Sequence, residues 1–295
     1  MKPIKIALIG LDTSHSVEFP RRMQAPDCKP ELKVDGLQAV SCLSFLTPFT
    51  NEDVLKTRRE QLEAWGVRVT ESFDEAVADC DAIMIEINDP ALHAEYFEKC
   101  AALGKPIFLD KPLADSYAHG QAIVARASQL NVPVMSASSL RFSAALQQAC
   151  LAVPKPDETI VYGPLGIPAA GEGLVWYGVH CFEMLERAMG RGALQVDARR
   201  DASGVVTIVS YPDSRRGIVA LTVGNYAYGG SLRQKGEVRP FQVDSAQIYT
   251  EELRVIKEFF LTGQAPLTLE DSLEVMRLLD AAVVSSHSGQ PVVFA

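Results

Sequence analysis

The chain has 295 residues, 47% of them apolar and 22% charged, a composition typical of a globular protein with one large or two ordinary domains. Its 28 basic and 37 acidic residues give a net charge of −9, which argues against nucleic acid or an anionic membrane as a partner because either would repel it. No stretch approaches the roughly 20 apolar residues that span a bilayer. The six cysteines form no CxxC pair, so we expect free thiols and a cytoplasmic location.

Strand and helix patterns alternate through the first half of the chain. Apolar, β-branched runs predict strands at Ile4–Gly10, Leu37–Phe45, Val67–Thr70, Ala82–Ile87, Ile107–Leu109 and Val132–Ala137. Helical patterns lie between them, at Ser14 to about Gln24, Val54–Ala64, Phe73–Ala78, Pro90–Leu103 and Ser116–Leu130. Because strands joined by helical crossovers pair in parallel, residues 1–140 are predicted to form a Rossmann-type, doubly wound α/β domain.

The pattern changes near Phe142. Val205–Tyr211 and Gly217–Val223 alternate in polarity around a Pro-Asp-Ser turn, which predicts an antiparallel hairpin, and Phe241–Ile248 is a further candidate strand. Helices are predicted at Gly178–Ala188, Glu251–Phe260 and Leu269–Ser286, and the Pro- and Gly-rich stretch Pro154–Gly173 as loop or short strand. Residues 141–295 are therefore expected to form an α+β domain with a largely antiparallel sheet.

The turn after the first strand reads Gly10-Leu-Asp12-Thr13-Ser14-His15. A dinucleotide fingerprint has glycine at positions 10, 12 and 15, so that a diphosphate can approach the helix N-terminus, and only the first is present. A carboxylate at position 12 repels a diphosphate unless it turns away. The backbone with Thr13 and Ser14 can still bind an anion, but an ordinary capped βα turn explains these residues equally well.

The second strand of a dinucleotide-binding domain usually ends in an acid that binds the ribose hydroxyls. This one runs Val40-Ser-Cys-Leu-Ser44-Phe45 and contains no acid. Ser44 offers a weaker hydroxyl contact to the ribose.

The most specific segment is Ala82–Ala114, which ends in Gly104-Lys-Pro-Ile-Phe-Leu-Asp110-Lys111-Pro112. It resembles the glucose-fructose oxidoreductase/inositol dehydrogenase (Gfo/Idh/MocA) family, in which a strand ends in Glu-Lys-Pro; Asp110 replaces the glutamate. The resemblance extends to Leu140-Arg-Phe142, to Gly178-Val-His180 and to the C-terminal run from Glu258 to Asp271.

The resemblance implies an NAD- or NADP-dependent oxidoreductase that acts on a sugar, polyol or similar hydroxylated compound in carbohydrate metabolism. Lys111 matches the lysine that contacts both nicotinamide and substrate, and His180 matches the histidine that removes the hydroxyl proton. These roles suit a desolvated lysine and an imidazole that titrates near neutral pH. The resemblance also implies a homo-oligomer, a dimer or tetramer, paired through the sheet of the second domain around Val205–Val223.

The remaining candidates follow from position in the same pattern. The expected cofactor-binding residues are Gly10, Asp12, Thr13, Ser14, His15, Ser44, Asn88 and Asp110. The expected substrate-binding residues are Lys111, Arg141, Trp176, Tyr177 and His180. No metal site is predicted, because His15, His93 and Asp12 share no metal-binding spacing.

Three interpretations of function remain open. Trp176 stands where the family usually has an aspartate four residues before the histidine, and tryptophan offers only an N–H and a stacking face. The first interpretation is the dehydrogenase. The second is non-redox acid/base chemistry by Lys111 and His180, as in a lyase, isomerase or hydrolase, and the third is a catalytically silent ligand-binding protein. Trp176 and Tyr177 fit packing against a sugar ring or an ordinary structural role.

Overall fold

The computed structural model describes residues 2–294, in two compact units. The first consists of the chain up to Ser136 together with Tyr249–Leu269, and the second of Ala137–Ile248 and the chain from Glu270. The first segment of the first unit ends at Ser136, where the sequence indicates a boundary near residue 140, and Tyr249–Leu269 belongs to the first unit rather than to the second. That segment packs in the first unit, where Thr250 donates a 2.9 Å hydrogen bond to the Leu32 carbonyl.

A six-stranded sheet forms the core of the first unit. Its strands are β1 (Ile4–Ile9), β2 (Leu37–Leu43), β3 (Arg68–Thr70), β4 (Ala82–Ile85), β5 (Ile107–Asp110) and β6 (Val134–Ala137). They lie in the order β3-β2-β1-β4-β5-β6, and β1 pairs in parallel with both β2 and β4. The Rossmann-type prediction is confirmed, and the order change beside β1 creates the crevice where such sheets bind ligands.

Five helices connect these strands: α1 (His15–Gln24), α2 (Glu52–Ala64), α3 (Phe73–Val77), α4 (His93–Ala101) and α5 (Tyr117–Leu130). Side chains cap three of them, because Asn51, Ser72 and Ser116 each accept a hydrogen bond from the backbone three residues on. β4 and β5 are buried along their whole length, as expected for strands covered on both faces.

The second unit contains a seven-stranded sheet in the order β12-β11-β7-β10-β9-β8-β13. Its strands are β7 (Glu158–Pro164), β8 (Gln195–Asp201), β9 (Gly204–Ser210), β10 (Arg216–Thr222), β11 (Gly229–Gln234), β12 (Glu237–Gln242) and β13 (Val292–Val293). The predicted hairpin is the antiparallel pair β9–β10, whereas β10 and β7 pair in parallel. The sheet is therefore largely antiparallel, as predicted.

The remaining helices are α6 (Ala144–Ala152), α7 (Val179–Met189), α8 (Ile248–Thr262) and α9 (Leu269–Ser288). The predicted strand Phe241–Ile248 is wrong over most of its length, because β12 ends at Gln242 and α8 begins at Ile248. Within residues 2–294, every helix is too short or too polar to cross a lipid bilayer.

Candidate functional site

Gly10 follows β1 at the carboxyl end of the parallel sheet, with φ at +105°. A Cβ atom at this position would lie 2.5 Å from the Glu86 carbonyl oxygen, so both the conformation and the space require glycine. The first glycine of the fingerprint thus has the backbone role that the sequence suggests.

Asp12 is turned away from the start of α1. Its carboxylate accepts a 2.9 Å hydrogen bond from the Asn88 backbone N–H and a 2.7 Å bond from the Thr47 hydroxyl. Burial raises the pKa of Asp12, and these two hydrogen bonds oppose that shift. The residue links the turns after three neighbouring strands, β1, β2 and β4, and its charge is directed into protein donors rather than toward the helix terminus.

His15, at the position of the third glycine, is the first residue of α1 and is buried. Its Nδ1 lies 2.7 Å from Oδ2 of Asp110, and its ring packs edge-on against Tyr249 with centroids 5.0 Å apart. Thr13 accepts a 3.3 Å hydrogen bond from the His15 N–H, while Ser14 is exposed and hydrogen-bonds the Tyr249 hydroxyl. The imidazole therefore lies against the sheet, beneath the turn.

Ser44 follows β2, and its backbone N–H donates a 2.9 Å hydrogen bond to the Thr70 carbonyl. It lines a cleft of about 510 Å³ at the carboxyl end of β2. The lining residues are Ser44, Phe45, Leu46, Glu52, Leu55, Lys56, Arg59 and Glu71. In a Rossmann domain this is where the adenosine half of a dinucleotide binds.

Lys111 follows β5, and only 8% of its surface is exposed. The next residue, Pro112, is joined by a cis peptide bond, and its carbonyl lies 2.8 Å from Nδ1 of His93. The other ring nitrogen of His93 lies 2.8 Å from the Ile87 carbonyl. Both nitrogens of this buried histidine face backbone oxygens, so it supports the turn that holds Lys111 and has no nitrogen left for a metal.

One acidic residue at this edge escaped the sequence analysis. Glu86 follows β4 and is fully buried, and neither of its carboxylate oxygens has a hydrogen-bond partner. Burial and the charge of Asp110 raise the pKa of Glu86 well above its usual range. The signal was a single acid inside the otherwise apolar run Ala82–Ile87, where a buried strand excludes charge unless it is used.

In the second unit, His180 lies in the first turn of α7 and is 8% exposed. Its Nδ1 is 2.6 Å from the hydroxyl oxygen of Ser138, a partner that the sequence analysis missed. The ring packs edge-on against Tyr177, with centroids 5.4 Å apart. Tyr177 and its neighbour Trp176 are half-buried in the π-helical turn Leu174–Gly178, with their ring centroids 5.1 Å apart.

Arg141, expected to bind substrate, is buried between two glutamates of α7. One terminal nitrogen lies 3.0 Å from Glu183 and the other 2.5 Å from Glu186. Burial raises the pKa of Glu183 to about 7, against the opposing effects of Arg141 and of a hydrogen bond from the Ser138 backbone. Because its nitrogens are engaged in this way, Arg141 is better assigned to supporting Ser138 and His180 than to contacting a ligand.

A dinucleotide fits the residues of the first unit. The turn keeps the glycine that close approach requires, Asp12 directs its charge elsewhere, and His15 lies under the helix rather than over its N-terminus. The N-terminus of α1, whose amides favour an anion, can therefore hold a diphosphate. Thr13 and Ser14 belong to this turn, Ser44 and Asn88 follow β2 and β4, and Lys111 follows β5, so all of them lie at the carboxyl ends of strands in the same sheet.

Comparison with known proteins agrees with this fold. Residues 46–138 match the GFO_IDH_MocA family model, described as an oxidoreductase family with an NAD-binding Rossmann fold. The match contains Lys111 and confirms the family resemblance, and with it the predictions of an oxidoreductase and a nicotinamide cofactor. A sequence search of the curated proteins finds no match.

Several solved structures share the whole fold at low sequence identity. GenD2 from gentamicin A biosynthesis, in complex with NAD, has a TM-score of 0.81 and 16% identity, covering 100% of this chain and 97% of its own. A myo-inositol dehydrogenase from Corynebacterium glutamicum has a TM-score of 0.80 and 14% identity, with 99% of both chains covered. The scyllo-inositol dehydrogenase of Lactobacillus casei, with bound NAD(H) and scyllo-inositol, has a TM-score of 0.78 and 16% identity, again with 99% of both chains covered.

Proposed function

We propose that the chain is an NAD(P)-dependent dehydrogenase that oxidises a hydroxyl group of a sugar, polyol or similar small compound, because residues 46–138 match the GFO_IDH_MocA family model. The observation that carries the proposal is the position of Lys111. It stands at the carboxyl end of β5, in a buried turn, in a sheet whose first βα turn keeps the glycine that the close approach of a dinucleotide requires. A surface lysine after a strand would be far more exposed.

Lys111 has the chemistry to bind the reacting oxygen. Its ammonium group donates hydrogen bonds and stabilises negative charge as a hydroxyl loses its proton. Because it is largely removed from water, this stabilisation is stronger than a solvated lysine provides. The bound nicotinamide supplies the hydride acceptor.

His180 is proposed as the base that takes the hydroxyl proton. Its Nδ1 lies 2.6 Å from the Ser138 hydroxyl, a contact that orients the ring. The rings of Tyr177 and Tyr228 pack edge-on against the imidazole and hold its orientation. Trp176 and Tyr177 are proposed to pack their faces on the C–H groups of the substrate ring.

The printed substrates of two structural neighbours support this substrate class. The proteins from C. glutamicum and L. casei are named as myo- and scyllo-inositol dehydrogenases, and inositols are cyclic polyols. At 14% and 16% identity these neighbours support a class of compound and not one member of it.

The test has a binding step and a turnover step. Titration calorimetry with NAD(H) and NADP(H) is expected to show one site per chain, and a panel of inositols, aldoses and sugar acids is expected to contain a compound that reduces the bound cofactor. Lys111→Met should lower kcat/KM about a hundredfold or more, while Lys105→Met, at the opposite end of β5, should leave it unchanged. Failure of all four cofactor forms to bind at millimolar concentration would refute the proposal.

The substitution of tryptophan for aspartate at position 176 favours a second candidate, a non-redox acid/base enzyme. In that case the same panel yields an elimination, isomerisation or hydrolysis product without any change in cofactor absorbance. Loss of that product in Lys111→Met would establish the second candidate, and its absence would leave the ligand-binding interpretation.

A further inference from the structure

The side chains of His15, Glu86 and Asp110 form a buried cluster under the start of α1, which we call the His15–Glu86–Asp110 cluster. Each offers a ligand atom, and the three atoms lie within 4.8 Å of one another. The residues come from the ends of three different elements, α1, β4 and β5, which the parallel sheet brings to one edge. The sequence spacing does not predict this set, because His15, Glu86 and Asp110 are 71 and 24 residues apart in the chain.

Three of the four carboxylate oxygens of this cluster lack the hydrogen-bond partner that a buried charge requires. Both oxygens of Glu86 and Oδ1 of Asp110 are without hydrogen bonds, and the two residues are 0% and 2% exposed. Unpaired buried carboxylates are costly, and native structures pair them or use them to coordinate metals. Lys111 directly follows Asp110, yet among residues 2–294 it forms no ion pair with either carboxylate.

The three ligand atoms lie close enough together to reach one ion. Two ligand atoms bound at about 2.1 Å to the same metal lie about 3.0 to 3.4 Å apart in octahedral or tetrahedral geometry. Nδ1 of His15 and Oδ2 of Asp110 are 2.7 Å apart and hydrogen-bonded, so this pair must separate by a few tenths of an ångström to bind the ion, and the ligand atom of Glu86 lies within 4.8 Å of both. One imidazole and two carboxylates are the ligand types that Zn²⁺ and Mn²⁺ share.

We propose that His15, Glu86 and Asp110 bind a divalent transition-metal ion. The ion neutralises the two carboxylates and ties the start of α1 to the ends of β4 and β5. It thereby fixes Asp110, the residue immediately before Lys111. The ligands are buried, so the site holds a resident ion rather than exchanging one at the surface.

The test uses full-length protein purified without a metal-affinity column. After chelation and buffer exchange, Zn²⁺ or Mn²⁺ alone is added, excess ion is removed by gel filtration, and bound metal is measured by plasma mass spectrometry. We expect about one equivalent per chain and a higher melting temperature with metal, because a ligand of the native state stabilises it. Substitution with Co²⁺ should give visible absorption bands from the His15 and carboxylate ligands.

Glu86→Gln preserves shape while removing a ligand charge, and it should weaken metal affinity about a hundredfold and abolish the metal-dependent rise in melting temperature. His15→Gln serves as a second variant if Glu86→Gln folds poorly. His119→Gln is the matched control, because it removes the imidazole of an exposed His–Asp pair, His119–Asp115. Less than about a tenth of an equivalent in the wild-type protein, or equal metal loss in the control, would overturn the site. A Glu86→Gln variant with a higher melting temperature than wild type, both with and without metal, would also overturn the site, because that result would indicate that Glu86 is protonated.

Discussion

The hydroxyl oxygen of Ser138 lies 2.6 Å from Nδ1 of His180. The backbone N–H of Ser138 donates a hydrogen bond to the carboxylate of Glu183, and that carboxylate also pairs with Arg141. His180 is thus held at the end of a buried chain of hydrogen bonds. A histidine held in this way has a fixed ring orientation, which a general base requires.

Ser138→Ala is expected to lower kcat of the proposed dehydrogenase about tenfold with little change in KM, because Ser138 positions His180 and does not contact substrate. The pH–rate profile should also shift, since the hydroxyl no longer stabilises one protonation state of the imidazole. Steady-state kinetics across pH measure both effects. Ser139→Ala removes the hydroxyl of the neighbouring buried serine and is expected to have neither effect; equal losses in the two variants would mean a purely structural role.

Asp12→Ala is expected to destabilise the protein by about 1.5 to 3 kcal/mol, because two hydrogen bonds to a buried carboxylate are lost. Asp12→Asn keeps an oxygen that can accept the hydrogen bond from the Asn88 N–H, so it should lose less stability than Asp12→Ala. Urea denaturation gives the free energies of unfolding. Asp27→Ala, which removes an exposed carboxylate, is the control. An Asp12→Ala variant with the same free energy of unfolding as wild type would show that the carboxylate does not link the turns after β1, β2 and β4.

The cleft beside Ser44 predicts the choice of cofactor. Lys56 and Arg59 line it, and there is no acid at position 44 to bind the ribose diol. Since basic side chains accommodate a 2′-phosphate, we expect NADP(H) to bind about tenfold more tightly than NAD(H). Ser44→Asp should reverse that order by repelling the phosphate, and Ser44→Asn, with the same shape and no charge, should not. Calorimetric affinities for both cofactors in the three proteins decide the point.

The first unit could be predicted from sequence almost element by element, because buried parallel strands are continuous apolar runs between helices with polar caps. The elements of the second unit were harder to predict from the sequence. β7 lies in the Pro- and Gly-rich stretch Pro154–Gly173, and its partners are β10 and β11, which come much later in the chain. Within the site, the sequence identified Lys111 and His180 by motif. The signal for Glu86, a single acid inside an apolar strand, does not show which residues surround it, and Ser138 could not be found because its contact with His180 is tertiary.

The exposed face of the second sheet carries the remaining prediction from family resemblance, self-association. Val206 and Ile208 on β9 are 48% and 40% exposed, as is Tyr162 on β7 at 37%. Light scattering is expected to give the mass of a dimer or tetramer. Val206→Lys with Ile208→Lys should lower that mass, because two buried charges at an interface are costly. Leu151→Lys, at another exposed apolar position, is the control, and a monomeric wild-type protein would contradict the prediction.

Glu183 predicts how stability depends on pH. Its pKa in the folded protein is about 7, above the ordinary value of 4.5, because burial outweighs the attraction of Arg141. Between those values the native state holds a proton that the unfolded chain releases, so stability falls as pH rises from about 5 and levels off above 7. We expect a total loss of about 1 to 3 kcal/mol, measured by urea denaturation across that range.

Glu183→Gln should reduce this decline, since an amide does not titrate, and Arg141 keeps Glu186 as its partner. Glu158→Gln is the matched control. Arg216 and Arg233 lower the pKa of that half-buried glutamate, so its contribution to stability increases with pH and its removal leaves the decline in place. If wild type and Glu183→Gln show the same pH dependence, Glu183 is already ionised at pH 5 and its pairing with Arg141 outweighs burial.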